Sequence, residues 1–87
     1  MTRAMVDVAQ RAQLVTFIET ELVRGRPGID VERDALVDSG VIDSLGILKL
    51  VTHLERSFGV KLGDDELVPE NFETLDAILA LVGRARR

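Results

Sequence analysis

The chain has 87 residues, no cysteine and a formal net charge of −4 at pH 7. A chain of this length forms one small domain with little room for an internal cavity, which favours a carrying or interaction role over stand-alone catalysis. The missing cysteines exclude disulfides and Cys-ligated metals, and the negative charge and the scarcity of aromatic residues argue against a nucleic-acid partner.

The first predicted element is a helix from about Val6 to Arg24. Its apolar residues recur at helical intervals, at Leu14, Val15, Ile18 and Leu22. The helix is then stopped by Gly25, Pro27 and Gly28. A long, mostly acidic connection follows over residues 29–43, and a connection of this length in a small domain is often functional.

The second predicted helix runs from Ser44 to Phe58. One apolar face is predicted from residues at three- and four-residue steps, namely Leu45, Leu48, Val51, Leu54 and Phe58. Asp43 or Ser44 can cap the helix, because a short side-chain oxygen accepts a hydrogen bond from an unpaired amide of the first turn. Gly59 is expected to end it in a left-handed conformation. A glycine in the first turn, here Gly46, costs about 0.5–1 kcal/mol of helix stability relative to alanine. Close approach of a partner or of an attached arm would explain it, and neutral drift is the alternative.

Two further elements complete the chain. A short helical turn is predicted over residues 67–72, with Pro69 at its start. A last helix begins at Leu75 after the N-cap Thr74 and ends near Arg84. Its predicted core face is Leu75, Ile78, Leu79 and Val82.

The sum is an all-α bundle of three main helices and one short helix, with a long first loop. We expect a single domain over residues 1–87, folded from about residue 6 to residue 84, with short flexible termini. No segment has the continuous apolar run of a signal peptide or a membrane span. We therefore predict a cytoplasmic protein that does not associate with membranes.

Catalysis by the chain itself is not predicted. His53 is the only histidine, and it lies nine residues after Ser44 on the same predicted helix. That separation corresponds to a rise of about 13 Å, whereas a general base must come within about 3 Å of its hydroxyl. We therefore predict no catalytic residue. The acidic runs lack the spacing of a calcium loop, so we also predict no bound metal.

Ser44 permits two interpretations from the residues alone. A serine at a helix start is usually a cap, so one alternative is a helical protein-interaction domain in which Ser44 only caps the helix. The other is a functional serine. The rival hydroxyls are less favourable, because Ser39 has turn chemistry with no helix behind it and Ser57 lies near a helix C-terminus, where phosphate is disfavoured.

Two blocks of the sequence carry a family resemblance. Residues 38–45, with the stretch Val41-Ile42-Asp43-Ser44-Leu45, resemble the attachment site of acyl and peptidyl carrier proteins, and residues 48–60 resemble their second helix and its exit. Residues 69–78, with Asn71-Phe72-x-Thr74, resemble their short third helix and the start of their fourth. The resemblance extends over residues 10 to 83 and implies the four-helix fold of this family.

The resemblance also implies a mechanism. In this family a phosphopantetheinyl transferase moves 4′-phosphopantetheine from coenzyme A to the motif serine, here Ser44, using magnesium. The chain is then a non-catalytic carrier that holds its cargo as a thioester. Asp43 matches the aspartate that engages the transferase and its metal, Leu45 matches a residue that packs against partner enzymes, and we assign Lys49 to partner contact as well. The expected partners are the transferase, a loading ligase and downstream biosynthetic enzymes, and we expect a monomer.

The charge of the second predicted helix indicates the kind of pathway. Many fatty-acid carriers have a second helix dense in acids, whereas this one is nearly neutral, with Lys49, Glu55 and Arg56. We therefore predict a discrete carrier in a specialised pathway of the polyketide, nonribosomal peptide or related type. A fatty-acid synthase carrier is the alternative, and the cargo stays open among acyl, aminoacyl and D-alanyl groups.

Overall fold

The computed structural model describes residues 2–25 and 28–85, and all regular structure in these residues is helical. Helix α1 spans Thr2–Phe17, α2 spans Ser44–Phe58 and α3 spans Leu75–Ala85. Two short 3₁₀ helices, Asp64–Glu66 and Pro69–Phe72, lie between α2 and α3. The predicted all-α architecture is confirmed, with Pro69–Phe72 as its short helix. The expected flexible termini include residues 1, 86 and 87, which lie outside the described residues.

The first helix differs from the expected one at both ends. It begins at Thr2, earlier than about residue 6, and it continues beyond α1 as a π-helix over Ile18–Val23. The π-helix ends at Arg24, whose φ of 52° is left-handed and whose N–H donates to the Glu19 carbonyl at 3.3 Å. Apolar residues four apart fit α- and π-helical geometry alike, so the sequence pattern did not reveal this change.

The core is one apolar cluster to which the first loop and all the described helices except Asp64–Glu66 contribute. Its fully buried large side chains are Leu14, Ile18, Leu36, Ile42, Leu50, Leu54, Phe72, Leu75, Ile78, Leu81 and Val82. The predicted core face of α2 was wrong at Leu45 and Leu48, which are 60% and 58% exposed. The predicted core face of α3 omitted Leu81, which is fully buried, and included Leu79, which is only half-buried. Both helices are apolar around much of their circumference, so three- and four-residue steps fit more than one face.

The long first loop is packed rather than free. The N–H of Leu36 donates to the Glu73 carbonyl at 2.7 Å, and the N–H of Ile42 donates to the Leu36 carbonyl at 2.9 Å. Val31, Leu36, Val41 and Ile42 are all buried. These contacts fix the segment that leads directly into α2, and so they position residues 43 and 44.

A cluster of charged side chains ties the first loop to two helices. Arg11 of α1 contacts Glu32 of the loop at 3.2 Å and also forms an ion pair with Asp76 of α3. Hydrogen bonds to these two carboxylates raise the pKa of the Arg11 guanidinium, and the bond to Asp76 has the larger effect. None of the described helices has the length and apolar character needed to cross a membrane.

Candidate functional site

Asp43, not Ser44, caps α2. Asp43 has the extended backbone of an N-cap residue, and its Oδ1 accepts a hydrogen bond from the Gly46 N–H at 2.8 Å. The Ile47 N–H donates to the Asp43 carbonyl at 2.8 Å, which is the first helical bond. The two capping possibilities left open by the sequence are therefore resolved in favour of Asp43.

Ser44 is the first residue of α2, and its side chain is exposed. Its hydroxyl forms no hydrogen bond with any described residue. The hydroxyl thus stands at the N-terminus of a 15-residue helix, where unpaired amides and the helix dipole favour a phosphate group. An exposed, unengaged hydroxyl at this position fits the attachment of a phosphate-linked group.

The rival hydroxyls are both engaged. The Ser39 Oγ donates to the Leu36 carbonyl at 3.2 Å. The Ser57 Oγ lies 3.4 Å from His53 Nδ1, which is a long contact, and His53 Nε2 is buried without a hydrogen-bond partner among the described residues. The pair thus lacks the hydrogen bond from base to orienting group that a serine hydrolase uses.

Gly46 is explained by contacts within the chain. It is buried in the first turn of α2, where a Cβ atom would lie 3.3 Å from Asp43 Oδ1, 3.6 Å from Ile42 Cγ2 and 3.7 Å from Leu22 Cδ2. A side chain here would crowd the capping carboxylate and would be in van der Waals contact with Ile42 and Leu22. The close approach is therefore that of the chain's own capping and packing groups.

The two predicted partner contacts lie beside Ser44 on the exposed side of α2. Leu45 and Lys49 are both exposed, and both line a small cavity of about 190 Å³ together with Asp43 and Arg24. The structure thus brings all four predicted site residues to one end of α2.

His53 has an environment that the sequence did not indicate. Its ring stacks on Phe17, with 4.0 Å between centroids and 14° between planes, and it meets Phe58 edge-on at 6.0 Å. Burial lowers the pKa of the His53 imidazole below its ordinary value. Phe17 lies 36 residues away in the sequence, so no local pattern could have found this stack.

Metal binding finds no support in the part of the chain that the structure describes. No three or more His, Asp or Glu side chains come together there in a way that could hold an ion. The acidic residues Asp64 to Glu66 instead form a 3₁₀ turn, in which the Gly63 N–H donates to Glu66 Oε1 at 2.9 Å.

Comparison with known proteins identifies the family of the chain. Residues 12–82 match the protein family described as "Phosphopantetheine attachment site". The chain is 32% identical over 76 residues to a probable acyl carrier protein, PigG, from Serratia sp. (strain ATCC 39006), with 86% of each chain covered. It is 36% identical over 50 residues to a D-alanyl carrier protein from Streptococcus uberis (strain ATCC BAA-854 / 0140J), which covers 58% of this chain and 63% of that protein. The chain therefore belongs to the phosphopantetheine-binding carrier proteins, whose prosthetic group is a covalently attached 4′-phosphopantetheine.

Proposed function

We propose that Ser44 is the residue to which the phosphopantetheine arm is attached. The observation that carries the proposal is the division of roles at the start of α2, where Asp43 caps the helix and Ser44 keeps an exposed, unbonded hydroxyl. A serine needed as a cap would have its oxygen occupied. The alternative of an interaction domain with Ser44 as its cap loses its basis, because the capping oxygen belongs to Asp43.

The chain's own part in the attachment is to present a nucleophile. The Ser44 oxygen forms a new bond to the phosphorus that bears the pantetheine, and the pyrophosphate bond of coenzyme A breaks, which releases adenosine 3′,5′-bisphosphate. A base of the transferase takes the hydroxyl proton. No described histidine or carboxylate hydrogen-bonds to Ser44, which accords with a base supplied by another protein. In this proposal the chain is a non-catalytic carrier, and the amides of the first turn of α2 favour the phosphodiester that results.

Asp43 has a second role in this proposal. Its Oδ1 is held by the Gly46 N–H, while no described group donates to its Oδ2. The carboxylate is thus both fixed in position and open on one side. We assign it to engaging the transferase and its magnesium ion.

The cargo and pathway are proposed from the kinds of relatives and from the charge of α2. One relative is named a probable acyl carrier protein and the other a D-alanyl carrier protein, so both acyl and aminoacyl thioesters are represented among proteins similar to this chain. We propose a discrete, monomeric, cytoplasmic carrier in a specialised biosynthetic pathway, over a fatty-acid synthase carrier. Its partners are a phosphopantetheinyl transferase, a loading ligase and downstream enzymes.

The attachment is tested by modification of the purified apo-protein. The wild type, Ser44→Ala and the control Ser57→Ala are incubated with a broad-specificity phosphopantetheinyl transferase, coenzyme A and magnesium, and intact masses are measured. We expect the mass of one phosphopantetheine to be added to the wild type and to Ser57→Ala but not to Ser44→Ala. An unmodified wild type, or an adduct on Ser44→Ala, contradicts the proposal.

A further inference from the structure

The exposed side of α2 is apolar next to Ser44 and cationic further along. Leu45 and Leu48 are 60% and 58% exposed, and their three-residue spacing makes them neighbours on one side of the helix. Three more exposed side chains continue the same side at helical steps, and we call the five residues the α2 face: Leu45, Leu48, Lys49, Thr52 and Arg56.

The two cations of the α2 face are uncommitted. Lys49 and Arg56 form no ion pair or hydrogen bond with the residues that the structure describes, whereas Arg11 contacts two carboxylates and Arg33 lies 3.9 Å from Asp30. Two unpaired cations on a chain of net charge −4 are therefore free to meet carboxylates of another molecule.

No acid on α2 offsets these charges. Glu55 is the only acidic residue of the helix, and it is half-buried, with Oε2 accepting a hydrogen bond from the Leu62 N–H at 3.0 Å. Three charged groups outside the helix border the α2 face: Glu21 of the π-helix lines two cavities together with Lys49, and Arg24 and Asp43 line one of them. The α2 face itself thus carries two positive charges and no negative one.

Partner contact at Leu45 and Lys49 is already expected from the family resemblance. We propose that the partner enzyme that docks on the α2 face is anionic there, with an apolar depression for the two leucines joined to carboxylates that face Lys49 and Arg56. This inference rests on the proposed attachment at Ser44, because a partner must reach the arm there. Lys49 and Arg56 follow Ser44 by five and twelve residues, so the partner's carboxylates lie about 7 Å and about 18 Å along the helix from the point of attachment. Such charge complementarity governs which partner is accepted and how fast it associates.

The proposal is tested with the holo-protein and the enzyme from its host that charges it. That enzyme is purified by following thioester formation on the holo-protein by intact mass. Two charge-reversal variants are compared, Lys49→Glu/Arg56→Glu on the α2 face and Lys61→Glu/Arg33→Glu away from it, which change the net charge equally. Both are converted to the holo form beforehand, and their thermal unfolding is checked against the wild type.

We expect the variant on the α2 face to lower kcat/KM for charging by about tenfold or more, mainly through KM, because carboxylates then face carboxylates. The matched control should stay within about twofold of the wild type. Added NaCl should lower the wild-type kcat/KM, because it screens the attraction, and should raise that of the Lys49→Glu/Arg56→Glu variant, because it screens the repulsion. Leu45→Ala/Leu48→Ala should raise KM while the protein stays folded.

Equal effects of the two charge-reversal variants, or faster charging of the variant on the α2 face, would overturn the docking proposal alone. A wild type that takes no arm at Ser44, or a holo-protein that no host enzyme charges, would instead contradict the proposed function and with it this inference. The two failures are thus told apart by the mass of the wild-type protein.

Discussion

The Oδ1 atom of Asp43 accepts the backbone hydrogen bond of Gly46 at 2.8 Å, and this contact decides how the neighbouring serine is interpreted. It satisfies an amide of the first turn that a serine cap would otherwise satisfy. The absence of a side chain at Gly46 leaves room for the carboxylate, which would lie only 3.3 Å from a Cβ atom. Ser44, between the two, is left exposed and unbonded.

The cap predicts a difference between two variants of Asp43. Asp43→Ala should lower the free energy of unfolding by about 1 kcal/mol, because an amide of α2 loses its acceptor. Asp43→Asn should stay close to the wild type in stability, since asparagine is an equally good cap. Urea unfolding followed by circular dichroism measures both, and an Asp43→Ala variant as stable as the wild type would show that the cap is unimportant.

The same pair of variants separates capping from engagement of the transferase. Asp43→Asn removes the negative charge while keeping the acceptor, so the rate of phosphopantetheine transfer should fall while stability is retained. The rate is followed by intact mass at a fixed transferase concentration. A transfer rate equal to that of the wild type would limit Asp43 to its structural role.

Ser44→Ala should change stability very little. The Ser44 hydroxyl is exposed and forms no hydrogen bond with the described residues, so its removal should alter the free energy of unfolding by less than about 0.5 kcal/mol. This variant is measured in the same urea series as Asp43→Ala. A loss near that of Asp43→Ala would mean that Ser44 also serves as a cap.

Two leucines provide a matched test of the core. Leu36, in the first loop, is fully buried, whereas Leu48, in α2, is 58% exposed. Leu36→Ala should therefore cost about 2–5 kcal/mol, because it removes buried methyl groups and leaves a cavity. Leu48→Ala should cost less than about 0.5 kcal/mol. The reverse order in urea unfolding would mean that the loop is not part of the core.

His53 should make stability depend on pH. Burial lowers its pKa in the folded state, so the unfolded chain binds a proton first as the pH falls. Stability should be unaffected by His53 above about pH 6.5 and should decrease below it, until the folded-state pKa is passed. The charged side chains that line cavities with His53 are Glu21, Lys49 and Arg56.

His53→Phe is the control, because phenylalanine keeps an aromatic ring against Phe17 and cannot titrate. Urea unfolding is compared at about pH 7.5 and about pH 5.5, a range in which most carboxylates stay charged. The wild type should lose more stability than His53→Phe over this interval. Equal losses in the two proteins would assign the pH dependence to other groups.

Local signals in the sequence predicted the elements that hold the site. The bounds of α2, Ser44 to Phe58, and its left-handed end at Gly59, with φ of 68°, agree with the prediction. Thr74 accepts the Ala77 N–H at 3.1 Å, as expected for the cap of the last helix. These features depend on residues within one turn of each other, which is why short-range patterns reveal them.

Features that depend on distant residues were not predictable in this way. The stack of His53 on Phe17 and the bond from Leu36 to Glu73 join segments 36 and 37 residues apart. The exposure of Leu45 and Leu48 depends on which side of α2 the rest of the chain covers. The choice between Asp43 and Ser44 as cap needed the position of a single oxygen atom, because both residue types cap helices well.

The most direct test of the central claim is the position of the phosphopantetheine in the modified wild-type protein. After treatment with transferase, coenzyme A and magnesium, the protein is digested and its peptides are fragmented in a mass spectrometer. The account predicts that the added mass lies on Ser44 and on no other hydroxyl of the chain. An adduct located on Ser39 or Ser57, or the absence of any adduct, would contradict it.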